Sequence, residues 1–245
     1  MTIAIIGGTG LTAIDRLNIT HSEALETPYG TPSSAFVFGE LDGKDLVFLA
    51  RHGNPHRIPP HKINYRANIW GLKQLGVTEI IAVAAVGGIT PAMGPAVIAI
   101  PDQIIDYSYG RDHTFFADDL EHVTHIDFSY PYHAGLRQRI LQAATEIKLD
   151  VVANGTYACT QGPRLETAAE IRRLAQDGCD LVGMTGMPEA ALARELEIPY
   201  ANISVVANWG AGIDSEEITM AEIEANLKTG MQNAINLLAK SIQLA

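Results

Sequence analysis

Short apolar runs that close on glycine pairs recur along this chain and restrict the folds open to it. Residues 3–6 (Ile-Ala-Ile-Ile) end in Gly7-Gly8, and residues 80–85 run into Gly87-Gly88. Runs this short and this apolar read as buried strands feeding tight turns. Further strand signals lie at 97–100, 155–160, 180–183 and 200–206, and at 34–38 and 45–50, which flank the hairpin pair Asp42-Gly43. Apolar residues at helical spacing fill 64–75, 132–147, 167–177, 188–196 and 219–244. The last opens with Thr-Met-Ala-Glu, a capping-box pattern, and the fourth places Pro188 in a favourable first-turn position. This alternation, with a hairpin in the first half, predicts one α/β domain over residues 1–245, a mixed central β-sheet flanked by helices.

The net charge of -11 and a pI near 5.1 argue against nucleic acid as a partner, because backbone phosphates need a broad basic face. No apolar run reaches the length of a membrane span, and the first residues lack the basic flank of a signal peptide. A cytoplasmic protein without a membrane partner is expected. Its two cysteines, Cys159 and Cys179, imply no disulfide framework.

Against that acidity, residues 51–68 gather three histidines, three arginines and a lysine in a segment broken by prolines and a glycine. A helix that merely solvates its charges is excluded there, so the segment is expected to meet an anion or a sugar. The turn Gly7-Gly-Thr9-Gly10 follows a strand and can cradle an anion through its N–H groups and the Thr9 hydroxyl. Gly8-x-Gly10-x-x-Ala13 fits a dinucleotide fingerprint only loosely, since a hairpin follows where a second parallel strand and an acidic residue belong.

A metal at His52, His56 and His61 is a minority reading, because prolines keep them off one helix face and carboxylates are absent. The same holds for His113, Asp118, Asp119, His122 and His125 in the long loop 111–132. Cys159 reads as a small buried hydrophobe, and no nucleophile elbow accompanies the Ser, His and Asp residues. Glu166 can cap the helix that follows it or serve a ligand; Thr185 can bind an anion or cap the Pro188 helix. With Asn208 they end strands, where ligands of open α/β sheets gather.

Together these segments resemble the trimeric purine nucleoside phosphorylase and methylthioadenosine phosphorylase family. The matching parts are Gly7-Gly-Thr-Gly-Leu11, Arg51-His-Gly-x-x-His56, Asn64-Tyr-x-Ala-Asn68, Ala85-Val-Gly-Gly88, Gly162-Pro-Arg-Leu-Glu166 and Met184-Thr-x-x-Pro-Glu189. They run in family order from residue 1 to roughly 225. The resemblance implies a nucleoside phosphorylase fold, a homotrimer with sites at subunit interfaces, and phosphate attack on C1′ of a nucleoside. Phosphate is then a co-substrate, with no further cofactor. Carried over by position, Thr9, Arg51, His52 and Thr185 match phosphate ligands, with Ala84 and Ala85 in the place of a further contact. Ala84 stands where the methylthioadenosine enzymes have threonine, so one hydroxyl is missing and the Ala85 N–H remains. Met184 matches the residue under the ribose, and Leu165, Trp209 and Gly210 fall among the substrate positions. Arg51, His52 and Asn208 are the expected catalytic residues.

Base choice is expected at Glu166 and Asn208. A 6-oxopurine offers an N1–H donor to the Glu166 carboxylate and an O6 acceptor to the Asn208 amide, whereas a 6-aminopurine offers the reverse. At the 5′ end, members of this family that act on inosine carry a histidine near residues 219–222; Met220, with Ile223 close by, favours an apolar group instead. His125 matches the residue lent across the trimer interface to the methylthio pocket. These positions imply phosphorolysis of 5′-methylthioinosine to hypoxanthine and 5-methylthioribose 1-phosphate. A methylthioadenosine or broad 6-oxopurine phosphorylase is the alternative in the same class. A non-catalytic nucleoside-binding protein, or a hydrolase using water, is the alternative outside it.

Overall fold

The structure, a computed structural model, describes residues 1–8, 11, 17–118, 120–214 and 217–245. Four strands run parallel at its centre, β1 (Thr2–Gly7), β4 (Lys44–Ala50), β5 (Val77–Gly88) and β11 (Tyr200–Trp209), in the order β4-β1-β5-β11. On the β4 side, β3 (Phe36–Leu41) and then β2 (Asn18–Glu23) add antiparallel. On the other, β10 (Leu181–Gly183) meets the last two residues of β5 antiparallel and carries β9 (Thr156–Cys159) and β7 (Gln103–Asp106). Two-residue strands β6 (Ile98–Ala99) and β8 (Val151–Val152) complete an 11-stranded mixed sheet beside β11.

The central strands are mostly apolar because both sheet faces are covered. Side chains alternate across a strand. Ile3 and Ile5 of β1 pack with Leu136 and Ile140 of α2 (Ala134–Glu146) and with Leu237 and Ile242 of α5 (Met220–Gln243). Ala4 and Ile6 face the opposite way, onto Ile69 and Leu72 of α1 (Tyr65–Gln74) and Leu192 of α4 (Glu189–Glu195). Each large aliphatic side chain so buried contributes about 1.5–3 kcal/mol. A one-residue slip of β1 would swap the two faces, so the register is fixed by the core.

The predicted Asp42-Gly43 turn is found, and of the capping box expected at Thr219 the Thr219 half is present. Asp42 and Gly43 both take positive φ, 51° and 78°, the signature of a two-residue hairpin loop. The Asn64 side chain accepts from the Ala67 N–H, and Thr219 accepts from the Glu222 N–H. At α3 (Ala168–Gln176) the cap is Thr167, which forms a full capping box with Glu170. Glu166 is therefore not the cap. Pro188 is the N-cap residue of α4 rather than its first helical residue, and no side chain caps that helix.

Three strands have no counterpart in the sequence reading. β2 is Asn-Ile-Thr-His-Ser-Glu and exposed throughout, so it carries no apolar signal, while β7 and β8 are short. β5 and β11 also run past their apolar cores, to Gly88 and Trp209, because backbone pairing between them needs no apolar side chain. Glycine is needed at 88, where a Cβ would lie 1.7 Å from the Met93 carbonyl oxygen. Between Val206 and Asn208 the β11–β5 register shifts, so that Ala207 is one extra residue, a bulge. Among the described residues no helix is long and apolar enough to cross a membrane.

Candidate active site

A cavity of about 480 Å³ opens where the central parallel strands end. Gly8 follows β1, Arg51 and His52 follow β4, and Ala84 and Ala85 belong to the last part of β5. Met184 and Thr185 follow β10, and Ala207 and Asn208 close β11. The bulge explains why two successive β11 residues reach the same cavity. Ala85 is exposed between buried neighbours on β5, where it lines this space. Strand carboxyl ends in an α/β sheet are where such a cavity is expected.

Arg51 is buried, and most of its donors are already committed. Nε and Nη2 make a fork on the Glu189 carboxylate at 2.6 and 2.8 Å. Nη1 donates to the Val83 carbonyl at 3.0 Å, and Nη2 reaches the Ile6 carbonyl at 3.5 Å. Of its five N–H groups, one on Nη1 has no partner among the described residues. Burial opposes the charge, but the Glu189 carboxylate outweighs it and holds the guanidinium above its ordinary pKa. Glu189 is fully buried and also accepts from the Tyr200 hydroxyl at 2.8 Å. The sequence reading treated Glu189 only as the end of a motif; its place at the first turn of α4, behind a basic segment 138 residues away, is a tertiary fact.

His52 lies next to it. Its Nδ1 is 2.8 Å from the Ile58 carbonyl oxygen, and its ring stacks on His56 with centroids 4.4 Å apart. Burial lowers its pKa to about 4 against the Ile58 hydrogen bond, with Arg51 and His56 adding to the depression. Stacked imidazoles of this kind are no chelate, and among the described residues no three His, Cys, Asp or Glu side chains gather for a metal. Asp119 lies outside the described residues. So does Thr9, as do Gly10 and Ala13 of the glycine turn.

Thr185 is buried with its N–H 3.5 Å from the Tyr157 hydroxyl, and it does not cap α4. Gly183 must be glycine for a related reason, since a Cβ there would lie 2.0 Å from that same phenol oxygen. Beneath Met184 stands a buried cation that sequence reasoning missed. Arg111 donates to the carbonyls of Thr160 and Gln161 at 3.1 and 2.9 Å, and to those of Met184 and Met187 at 2.9 and 2.6 Å. It also donates to the Tyr65 hydroxyl and the Gln161 side chain, and none of these partners is a carboxylate. It therefore ties the two strand-end loops together and leaves a positive charge behind them. The isolated Arg in a polar loop gave no local signal of this.

The two residues expected to read the base are divided. Asn208 lines the cavity, its Nδ2 donating to the Trp209 carbonyl at 2.7 Å, which leaves one N–H and Oδ1 uncommitted. Glu166 instead lines an adjoining cavity of about 390 Å³ and accepts from the Thr160 hydroxyl at 2.6 Å. The Gly183 carbonyl oxygen, at the edge of the first cavity, lies 3.3 Å from the same Thr160 hydroxyl. Leu165 stands at the rim of the first cavity, 45% exposed. Trp209 packs on Gly94, and Gly210 donates to the Gly88 carbonyl; neither lines the cavity. His125 is exposed on the 107–133 loop and does not line it either.

Met220 is likewise misplaced by the sequence: it is the first residue of α5, 66% exposed, and is not among the residues lining the cavity. The apolar wall is Ile223, Leu227 and Met231, one stripe at i, i+4 and i+8. That spacing was present in the sequence and points past Met220. Cys159 is fully buried, and burial pushes its thiol up to about 12, which leaves it inert as a nucleophile.

Residues 2–243 match the family model described as the phosphorylase superfamily. A Pseudomonas syringae pv. tomato protein named a probable S-methyl-5′-thioinosine phosphorylase is 58% identical over 98% of both chains. A Xanthomonas campestris pv. campestris protein with the same name is 50% identical, again over 98% of both. Among solved structures, methylthioadenosine phosphorylase from Schistosoma mansoni in complex with adenine superposes with a TM-score of 0.94 at 30% identity. That match covers 100% of this chain and 91% of the other.

Proposed function

The chain belongs to the phosphorylase superfamily, and on that premise we propose that it cleaves 5′-methylthioinosine with inorganic phosphate, giving hypoxanthine and 5-methylthioribose 1-phosphate. It is a pentosyltransferase of the purine nucleoside phosphorylase type. One observation carries the substrate reading: the cavity that holds Arg51, His52 and Asn208 has as its remaining wall the apolar stripe Ile223, Leu227 and Met231. An anion, a purine amide edge and a thioether are served in one space. The names of the relatives from Pseudomonas and Xanthomonas support the same substrate.

A phosphate oxygen attacks C1′ as the C1′–N9 bond breaks, and the bonding pair leaves with the purine, which takes a proton from water at N7. Positive charge grows on the sugar and negative charge on the base. Phosphate held by the free Nη1–H of Arg51, by Thr185 and by His52 is placed for attack and offsets the sugar charge. Asn208 donates its second Nδ2–H to O6 and accepts from N7–H through Oδ1. Glu166 reads N1–H from the adjoining cavity, after its carboxylate turns from Thr160. Thr9, Ala84 and Ala85 complete the phosphate contacts, Met184 lies under the ribose, and Leu165 covers the base. Trp209 and Gly210 serve as backbone support for Asn208.

Turnover needs phosphate as co-substrate and no other cofactor. A homotrimer with sites at subunit interfaces and a cytoplasmic location belong to the same proposal. The exposed loop carrying His125, with Val123 at 72% and Tyr130 at 75% exposure, supports a neighbouring subunit there. The second reading, methylthioadenosine as substrate, is favoured by the placement of Glu166 outside the main cavity. Purine release from methylthioinosine with and without phosphate tests the reaction itself. Release is expected only with phosphate, together with a sugar 1-phosphate; equal release into phosphate-free buffer would make the protein a hydrolase.

A further inference from the structure

We propose that His52 binds the attacking phosphate as a hydrogen-bond acceptor toward a P–OH group, so that the site selects protonated tetrahedral anions over those with no proton. The inference rests on the phosphorolysis reading above. Its first support is geometric. The Ile58 carbonyl can only accept, so the His52 Nδ1 that lies 2.8 Å from it carries the ring proton. A neutral imidazole protonated at Nδ1 offers a lone pair, not an N–H, at Nε2. That Nε2 has no partner among the described residues, and the ring lines the cavity.

The surroundings keep a second proton off the ring. Arg51 stands beside it at the end of β4, and His56 stacks on it from the same loop. Burial and these two neighbours all disfavour the imidazolium. The carboxylate that could compensate, Glu189, is committed to Arg51 and Tyr200. Thr185, ahead of α4, is uncharged. An oxygen with no proton would thus set its lone pairs against those of Nε2, whereas a P–OH satisfies them.

Inorganic phosphate keeps at least one P–OH throughout the neutral range, as arsenate keeps an As–OH, and sulfate has no proton to give. Anchoring the protonated oxygen at His52 leaves the unprotonated ones to Arg51, Thr185 and C1′. One of these forms the C1′–O bond while the proton stays on its own oxygen. Attack therefore needs no proton transfer to or from His52.

The test is calorimetric titration of the intact enzyme with phosphate, arsenate and sulfate. At about pH 7.5 phosphate and arsenate are expected to bind at least about tenfold more tightly than sulfate. That gap should narrow as the pH falls, because bound sulfate then lets His52 take a proton from solvent. Heats of phosphate binding should agree between buffers of different ionisation enthalpy, showing no net proton uptake. His52→Gln, whose amide can turn its NH2 toward the anion, should close the gap by improving sulfate relative to phosphate. Equal affinities for sulfate and phosphate at about pH 7.5, or uptake of a proton with phosphate, would overturn the assignment. If those results accompany phosphate-dependent purine release, only the role of His52 falls. Absence of phosphate binding with phosphate-independent release removes the phosphorylase reading as well.

Discussion

Arg51 meets two demands at once, since Glu189 fixes its Nε and Nη2 while one Nη1–H has no partner among the described residues. Removing the carboxylate leaves a buried charge unpaired. Glu189→Gln is therefore expected to cost roughly 3–5 kcal/mol in urea unfolding. A loss below about 1 kcal/mol would mean that Arg51 finds another partner. The arginine was legible in the sequence, as part of a basic island in an acidic chain. Its partner was not, because nothing local marks a glutamate 138 positions away as a counter-ion. Asn208 gives the second prediction at this scale. Asn208→Asp replaces the donor to O6 by an acceptor, which should weaken 6-oxopurine turnover and relatively favour 6-aminopurines. Unchanged ratios of kcat/KM between methylthioinosine and methylthioadenosine would show that the base is read elsewhere.

Elements place these residues with features that differ in how far the sequence announces them. Helix starts were legible because Asn64, Thr167 and Thr219 satisfy backbone donors by local chemistry. The Ala207 bulge was not, since a register shift depends on the partner strand rather than on the residue that bulges. The long helix α5 lies between these cases. Its apolar stripe is visible at i, i+4 and i+8, yet the family position near Met220 directs attention one turn too early. Leu227→Ala should therefore weaken kcat/KM for methylthioinosine by roughly 10–200-fold, the range for lost apolar contact in a pocket, while inosine is affected less. Met220→Ala, at an exposed site, should stay within about 0.5 kcal/mol in stability and leave that ratio unchanged. The reverse ranking would restore Met220 to the pocket and remove α5's stripe from it.

At the scale of the whole molecule, alternating apolar strands and helices made the layered architecture legible, because covering both faces of a sheet requires them. The exposed edge β2 and the Arg111 ties were not legible, as neither leaves a periodic trace. The half-buried, neutral His52 links the whole fold to pH. Its pKa in the folded protein, lowered to about 4, lies below the ordinary 6.5 of a free imidazole. Between these values the unfolded chain binds more protons, so stability is complete above pH 6.5 and falls as the pH drops toward 4. The unfolding free energy of His52→Gln should decline less steeply across that window; parallel declines would mean that the ring is not held neutral. Phosphate end, base-reading amide and apolar wall act together only in the choice of nucleoside. The direct measurement is kcat/KM for methylthioinosine, methylthioadenosine and inosine at saturating phosphate. The account predicts methylthioinosine first, ahead of methylthioadenosine through the base and ahead of inosine through the 5′ group. Methylthioadenosine or inosine in first place would contradict it.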